Sequence, residues 1–192
     1  MPAGTVNATQ ISGLIDELNA IRKRADALLA RITTDETFGW QPQEGRAWSV
    51  GQCLDHLSQT NRFYLAAIRD ALAGGTRASS PVTSPIRSTF VGRWFARQME
   101  PGTRKMPTLK KLVPHSAARR AEVVPEFYRT LDETEALLRD SATLDLNRHT
   151  FTSPFFKLSR VRAGTGFRIL LAHLRRHLHQ AEQVLAAQTN AR

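Results

Sequence analysis

With 192 residues, 41% of them hydrophobic and 23% charged, the chain has the length and composition of one packed domain, which excludes a low-complexity or fibrous polypeptide. A single cysteine, Cys53, excludes an intrachain disulfide, and no stretch nears the roughly 18 apolar residues of a membrane span. The net charge of +10 is concentrated: residues 74–124 hold ten Lys or Arg against two acids, a balance of +8, while the rest carries 17 against 15.

The N-terminal MPAGTVNATQ has neither a basic region nor an apolar run, so a soluble, cytoplasmic protein is expected. Residues 9–33 place Ile11, Leu14, Ile15, Leu18, Ile21, Ala25, Leu28, Leu29 and Ile32 at helical spacing, with Arg22, Lys23 and Arg24 on the polar face. Residues 33–47, with Gly39, Pro42 and Gly45, read as a loop.

A second helix, residues 48–73, has a clear start. Ser49 followed by Gln52 is a capping-box pattern, and Trp48 with Cys53 fits a hydrophobic staple. Val50, Cys53, Leu54, Leu57, Tyr64 and Ile68 form its apolar stripe. His56 lies at the edge of that stripe, on the side of Thr60, Phe63 and Ala67. Cys53, inside the stripe, reads as a buried inert thiol rather than a nucleophile.

Residues 74–120 form a long connection. In its middle, residues 86–99 read as a short amphipathic helix with Ile86, Phe90, Trp94 and Phe95 on one face and Arg87, Arg93 and Arg97 on others, so the aromatics are expected to pack on the body of the protein. A third long helix, residues 117–142, starts between Ser116 and Pro125 and turns Phe127, Tyr128, Leu131 and Leu138 inward. Residues 144–160 read as a loop, and no strand pattern is evident.

The fourth helix, residues 161–188, has an indistinct start at Gly164 and Gly166. Leu170, Leu174, His177, Leu178, Ala181, Val184, Leu185 and Gln188 recur at three- and four-residue steps, with Arg168, Arg175, Arg176, His179 and Glu182 opposite. His173 and His177, one turn apart, leave the same face and can close on one metal ion. The pair alone is equally compatible with core histidines. His56 is the natural third ligand. Burying an imidazole without a partner costs about 1–3 kcal/mol, so three convergent ones call for an explanation, and a metal is the economical one.

The architecture read from these elements is all-α: a four-helix bundle with a long crossover between its second and third helices that carries a short extra helix. Trp48-Ser49-Val50-Gly51 leading into Asp55-His56-Leu57, together with the run from His173 to Gln180, resembles the two signatures of the DinB/YfiT-like superfamily. The basic Arg104-Lys105-Met106-Pro107 and Ser153-Pro154-Phe155-Phe156 sit where similar stretches occur in it. The resemblance runs from the first helix to about Ala187 and implies one DinB-like domain over residues 1–192. It also implies a divalent metal held by His56, His173 and His177, and frequent homodimers.

Activities that the resemblance implies include metal-dependent transfer of low-molecular-weight thiols onto an electrophile and related isomerase or hydrolase reactions. Three imidazoles leave a coordination position open, as in catalytic zinc sites; zinc or nickel is expected, and imidazole ligands do not choose between them. HLRRH lacks the glutamate of HExxH, which excludes a metalloprotease of that type. Asp55, Gln59 and Gln180 are near enough to orient the histidines or touch a substrate, although ordinary helix-surface polars are the simpler reading of each. Two readings outside catalysis stay open: a structural metal, or an interaction module whose basic crossover meets nucleic acid or an anionic surface. No recognised DNA-binding motif supports nucleic acid, and the basic segment can instead draw an acidic thiol toward the site.

Overall fold

The computed structural model describes residues 9–103, 108–114, 118–153 and 160–191. Four long helices build the body: α1 (Gln10–Ala30), α3 (Val50–Leu72), α5 (Arg120–Asp140) and α6 (Ala163–Asn190), with two short helices, α2 (Asp35–Gly39) and α4 (Phe90–Gln98), between them. Helix α3 packs on α5 and α6, and α1 packs on the same two. The ring order is therefore α1, α5, α3, α6, with α1 and α3 on one diagonal. This is the all-α bundle with a long crossover that the periodicity predicts.

The helix starts follow from their caps. Thr9 Oγ1 accepts from Ser12 N at 3.1 Å to begin α1, and Ser49 and Gln52 form the complete capping box of α3. Pro125 lies inside α5, which begins five residues earlier at Arg120, within the interval that the sequence left open. The apolar stripes meet in one core, where Leu18, Ala25, Leu54, Leu57, Phe127, Leu131, Phe167 and Leu174 are fully buried.

Several expectations are corrected. The loop at residues 33–47 contains α2, capped by Thr34 and anchored by Phe38, which is 1% exposed. The loop at residues 144–160 contains an antiparallel pair, β1 (Thr150–Thr152) and β2 (Arg160–Arg162), in register Phe151↔Val161. Only those two side chains turn into the core, and two inward residues are too few to produce a legible alternation. Helix α6 runs through Gly164 and Gly166 because the chains approach closely there: a Cβ at Gly166 would lie 2.7 Å from the Phe151 ring.

Helix α4 is turned differently from its predicted face. Gly92, Phe95, Ala96 and Met99 point inward, leaving Phe90 at 77%, Val91 at 50% and Trp94 at 46% exposure. Gly92 allows this docking, since a Cβ there would meet the Thr165 methyl at 2.9 Å. The crossover then makes a single 3₁₀ turn at Lys110–Leu112. Arg104-Lys105-Met106-Pro107, Ser116 and Pro154-Phe155-Phe156, singled out in the sequence, lie outside the described residues. No described helix is long and apolar enough to cross a membrane.

Candidate metal centre

Helix α3 supplies His56, and α6 supplies His173 and His177 from consecutive turns. The helices pack against each other, which brings one nitrogen of each of the three rings within 4.8 Å of the others. His56 Nε2 and His173 Nε2 lie 3.3 Å apart. That equals the edge of a tetrahedron whose centre is about 2.05 Å from each nitrogen, the reach of a zinc–imidazole bond, so the donor set fits a divalent ion. The rings meet edge-on, with centroids 4.5–5.1 Å apart.

Outer hydrogen bonds fix which nitrogens face inward. His56 Nδ1–H donates to the Leu112 carbonyl at 2.8 Å, and His177 Nδ1–H donates to Gln180 Oε1 at 2.9 Å. Each bond leaves the Nε2 lone pair for the centre. His173 Nδ1 is buried with no hydrogen-bond partner among the described residues. The Trp48 ring covers one side, 4.9 Å from His56 and stacked on His177 at 5.8 Å. Its place is therefore beside the site.

Burial also keeps the imidazoles neutral. It is the main cause that holds His56 below its ordinary pKa, partly offset by the Leu112 bond and Asp55. Burial, then His177, His56 and Arg176, drives His173 well below. Burial and the neighbouring His56 take His177 to about 3, against the Gln180 bond. Neutral imidazoles with inward lone pairs are what a cation needs; three clustered imidazolium ions would repel one.

The cluster lies on the wall of a cavity of about 860 Å³, within the range of small-molecule sites. Its inner wall includes Thr60, Tyr64, Phe95, Leu112 and Leu170, all buried, while Gln43, Arg46, Gly102 and Gln183 form an exposed mouth. Helix α4 and the 3₁₀ turn therefore roof the histidines, a role that the sequence could not assign to the crossover.

Two arginines read as lying opposite the apolar stripe of α6 hold that roof. Arg176 NH1 donates to the carbonyls of Gln98 at 2.9 Å and Glu100 at 3.2 Å, and to Thr103 Oγ1. Arg175 pairs with Glu100 and, at 2.8 Å, with Glu17 of α1. Glu182, also read as facing away, binds Arg24 of α1. The polar face of α6 is polar because neighbouring segments use it.

The remaining candidates separate clearly. His179 stays out of the triad, close to Arg24 and Gln183. Gln59 donates to Asp55 at 2.9 Å; of the three proposed orienting residues, only Gln180 bonds a triad ring in the described contacts. Cys53 is fully buried, and burial raises its thiol to about 12, which makes it inert as read. The Leu112 carbonyl was missed, because any residue supplies a carbonyl and no side-chain pattern marks it.

A protein-family model described as the DinB superfamily matches residues 17–181. No curated protein matches the chain, and no solved structure does.

Proposed function

The chain belongs to the DinB superfamily, and from that premise we propose that His56, His173 and His177 hold one divalent metal ion and that the protein is a metal-dependent enzyme acting in the adjoining cavity. The observation that carries this reading is the pair of inward Nε2 atoms 3.3 Å apart, with a third imidazole beside them and the outer nitrogens of two rings anchored. Zinc or nickel suits neutral imidazoles. When bound, the ion supplies Lewis acidity and acidifies a thiol or water.

The protein's own residues supply the rest. Leu112 and Gln180 orient two rings, Trp48 keeps water off one side, and the roof of α4 shelters a substrate from solvent. The family resemblance narrows the reaction to transfer of a low-molecular-weight thiol onto an electrophile, or a related isomerisation or hydrolysis. A homodimer in the cytoplasm is the accompanying proposal.

Elemental analysis tests the site. Protein purified without metal-affinity chromatography should carry about one equivalent of divalent metal, lost in His56→Ala, His173→Ala and His177→Ala. Wild type without metal, even after reconstitution, would make the cluster a polar core. Metal without turnover of any thiol and electrophile pair, and a chelator that only lowers the melting temperature, would make the ion structural.

A second reading rests on one observation. Phe90, Val91 and Trp94 are exposed on α4 beside the exposed Arg87, Arg93 and Arg97, a surface suited to an anionic interface and an interaction role.

A further inference from the structure

The walls of the cavity carry a charge pattern beyond the three histidines. Arg46 at the mouth and the half-buried Arg176, which also holds the roof segment, are its fixed charges among the described lining residues, and no Asp or Glu lines it. All 17 acidic side chains of the protein lie in described segments, so the lack of a carboxylate is a property of the cavity. The volume of about 860 Å³ exceeds what a two- to four-carbon acid fills, and the wall around Phe95, Leu112 and Leu170 is apolar and buried.

An apolar chamber with cations and no anions selects for one ligand chemistry. A neutral apolar molecule would bury its surface but gain nothing from the arginines. A cation would meet like charge in a low-dielectric wall, where repulsion is weakly screened. A small anion would use the arginines and leave the apolar wall wet. Only a molecule with both parts uses both parts of the wall.

We infer that the cavity binds an amphiphilic organic anion, a carboxylate or similar group on an apolar body of roughly eight to twelve carbons, with the anion directed by Arg176 and Arg46 and the body against the Phe95, Leu112 and Leu170 wall. This deepens the proposed function, since such an anion would be the substrate held beside the histidines, yet the binding itself needs no metal.

The test is calorimetric titration of the full chain, as purified and after chelator treatment, with decanoate, decanol and butyrate. One decanoate is expected per chain in both preparations, with decanol and butyrate each weaker by about tenfold or more. Arg176→Gln, which also removes roof contacts, should weaken decanoate by about tenfold more than it weakens decanol, and Arg176→Lys should restore part of that difference. Should Arg176→Gln fail to fold, Arg46→Glu is read in its place, with decanoate weakened by about threefold and decanol unchanged.

Equal affinity for decanoate and decanol, or an arginine variant that changes neither, overturns the inference. Decanoate binding that disappears with the chelator and ignores both arginines also overturns it, because the carboxylate was then a metal ligand; that same result upholds the metal site. Decanoate binding that needs Arg176 in a protein devoid of metal upholds the inference and removes the metal.

Discussion

His56 Nδ1–H and the carbonyl of Leu112 meet at 2.8 Å across 56 positions of sequence, so the crossover sets the tautomer of a histidine on α3. The bond leaves Nε2 of His56 as an acceptor, facing His173 Nε2. Gln180 imposes the same tautomer on His177. In chelator-treated protein, long-range proton–nitrogen spectra should therefore show His56 and His177 neutral and protonated on Nδ1. An Nε2–H signal from His56 would mean that the crossover does not orient the site.

The same rings make the metal-free protein acid-sensitive. All three have folded pKa values below the ordinary 6.5, His177 near 3. The unfolded chain therefore takes up protons first as pH falls through 6.5, and stability that is full above that value declines toward the folded pKa values. Each histidine contributes a slope of up to about 1.4 kcal/mol per pH unit in this window. Between pH 7 and 5 the melting temperature of the chelator-treated protein should fall, and His177→Ala should fall less steeply. Parallel curves would show that burial does not hold His177 neutral.

The bundle was legible in the sequence because its four long helices repeat their apolar positions over several turns; the two histidines on α6 were legible because one turn separates them. What escaped is short or carries no side-chain signature. Helix α2 rests on Phe38 alone, and each strand turns one residue inward. Arg175 and Arg176 were placed only as opposite the apolar stripe, because a helical wheel shows polarity and not what lies over it. Phe90 and Trp94 looked inward because they share spacing with Phe95, whereas Gly92 is what lets the opposite stripe of α4 reach α6.

Arg176 is expected to hold the roof. Its NH1 joins α6 to Gln98, Glu100 and Thr103, and charge-assisted bonds of this kind are worth about 1.5–3 kcal/mol. Arg176→Ala should lower stability by about that amount, and amide exchange should accelerate at residues 98–103 before it does in α1 or α5. Unchanged protection of the crossover would show that the roof is held by apolar packing alone.

Two glycines should respond oppositely to the same substitution. A Cβ at Gly166 would lie 2.7 Å from the ring of Phe151, itself only 8% exposed, and 3.2 Å from Ile68. Gly166→Ala should destabilise by about 1–3 kcal/mol through overpacking. Gly13, on the exposed side of α1, has nothing within 4 Å of that position. Gly13→Ala should stabilise by about 1 kcal/mol through helix propensity alone. Denaturant midpoints read both, and a stabilised Gly166→Ala would mean that β1 does not sit against α6.

The outer face of α4 yields a prediction about surfaces. Phe90, Val91 and Trp94 are exposed beside Arg87, Arg93 and Arg97, and an arginine near an anionic surface contributes about 1 kcal/mol. If this face serves an interaction role, the protein should be retained on vesicles rich in anionic lipid at low salt and released as ionic strength rises. Neutral vesicles should not retain it. Because the apolar residues must enter the interface as well, Phe90→Ser with Trp94→Ser should weaken retention without changing its salt slope, while Arg93→Gln with Arg97→Gln should flatten that slope. Both variants leave the Phe95 side of α4 intact, so the metal content should not move. Retention that ignores the aromatics would reduce the patch to nonspecific charge, and no retention at low salt would exclude this reading.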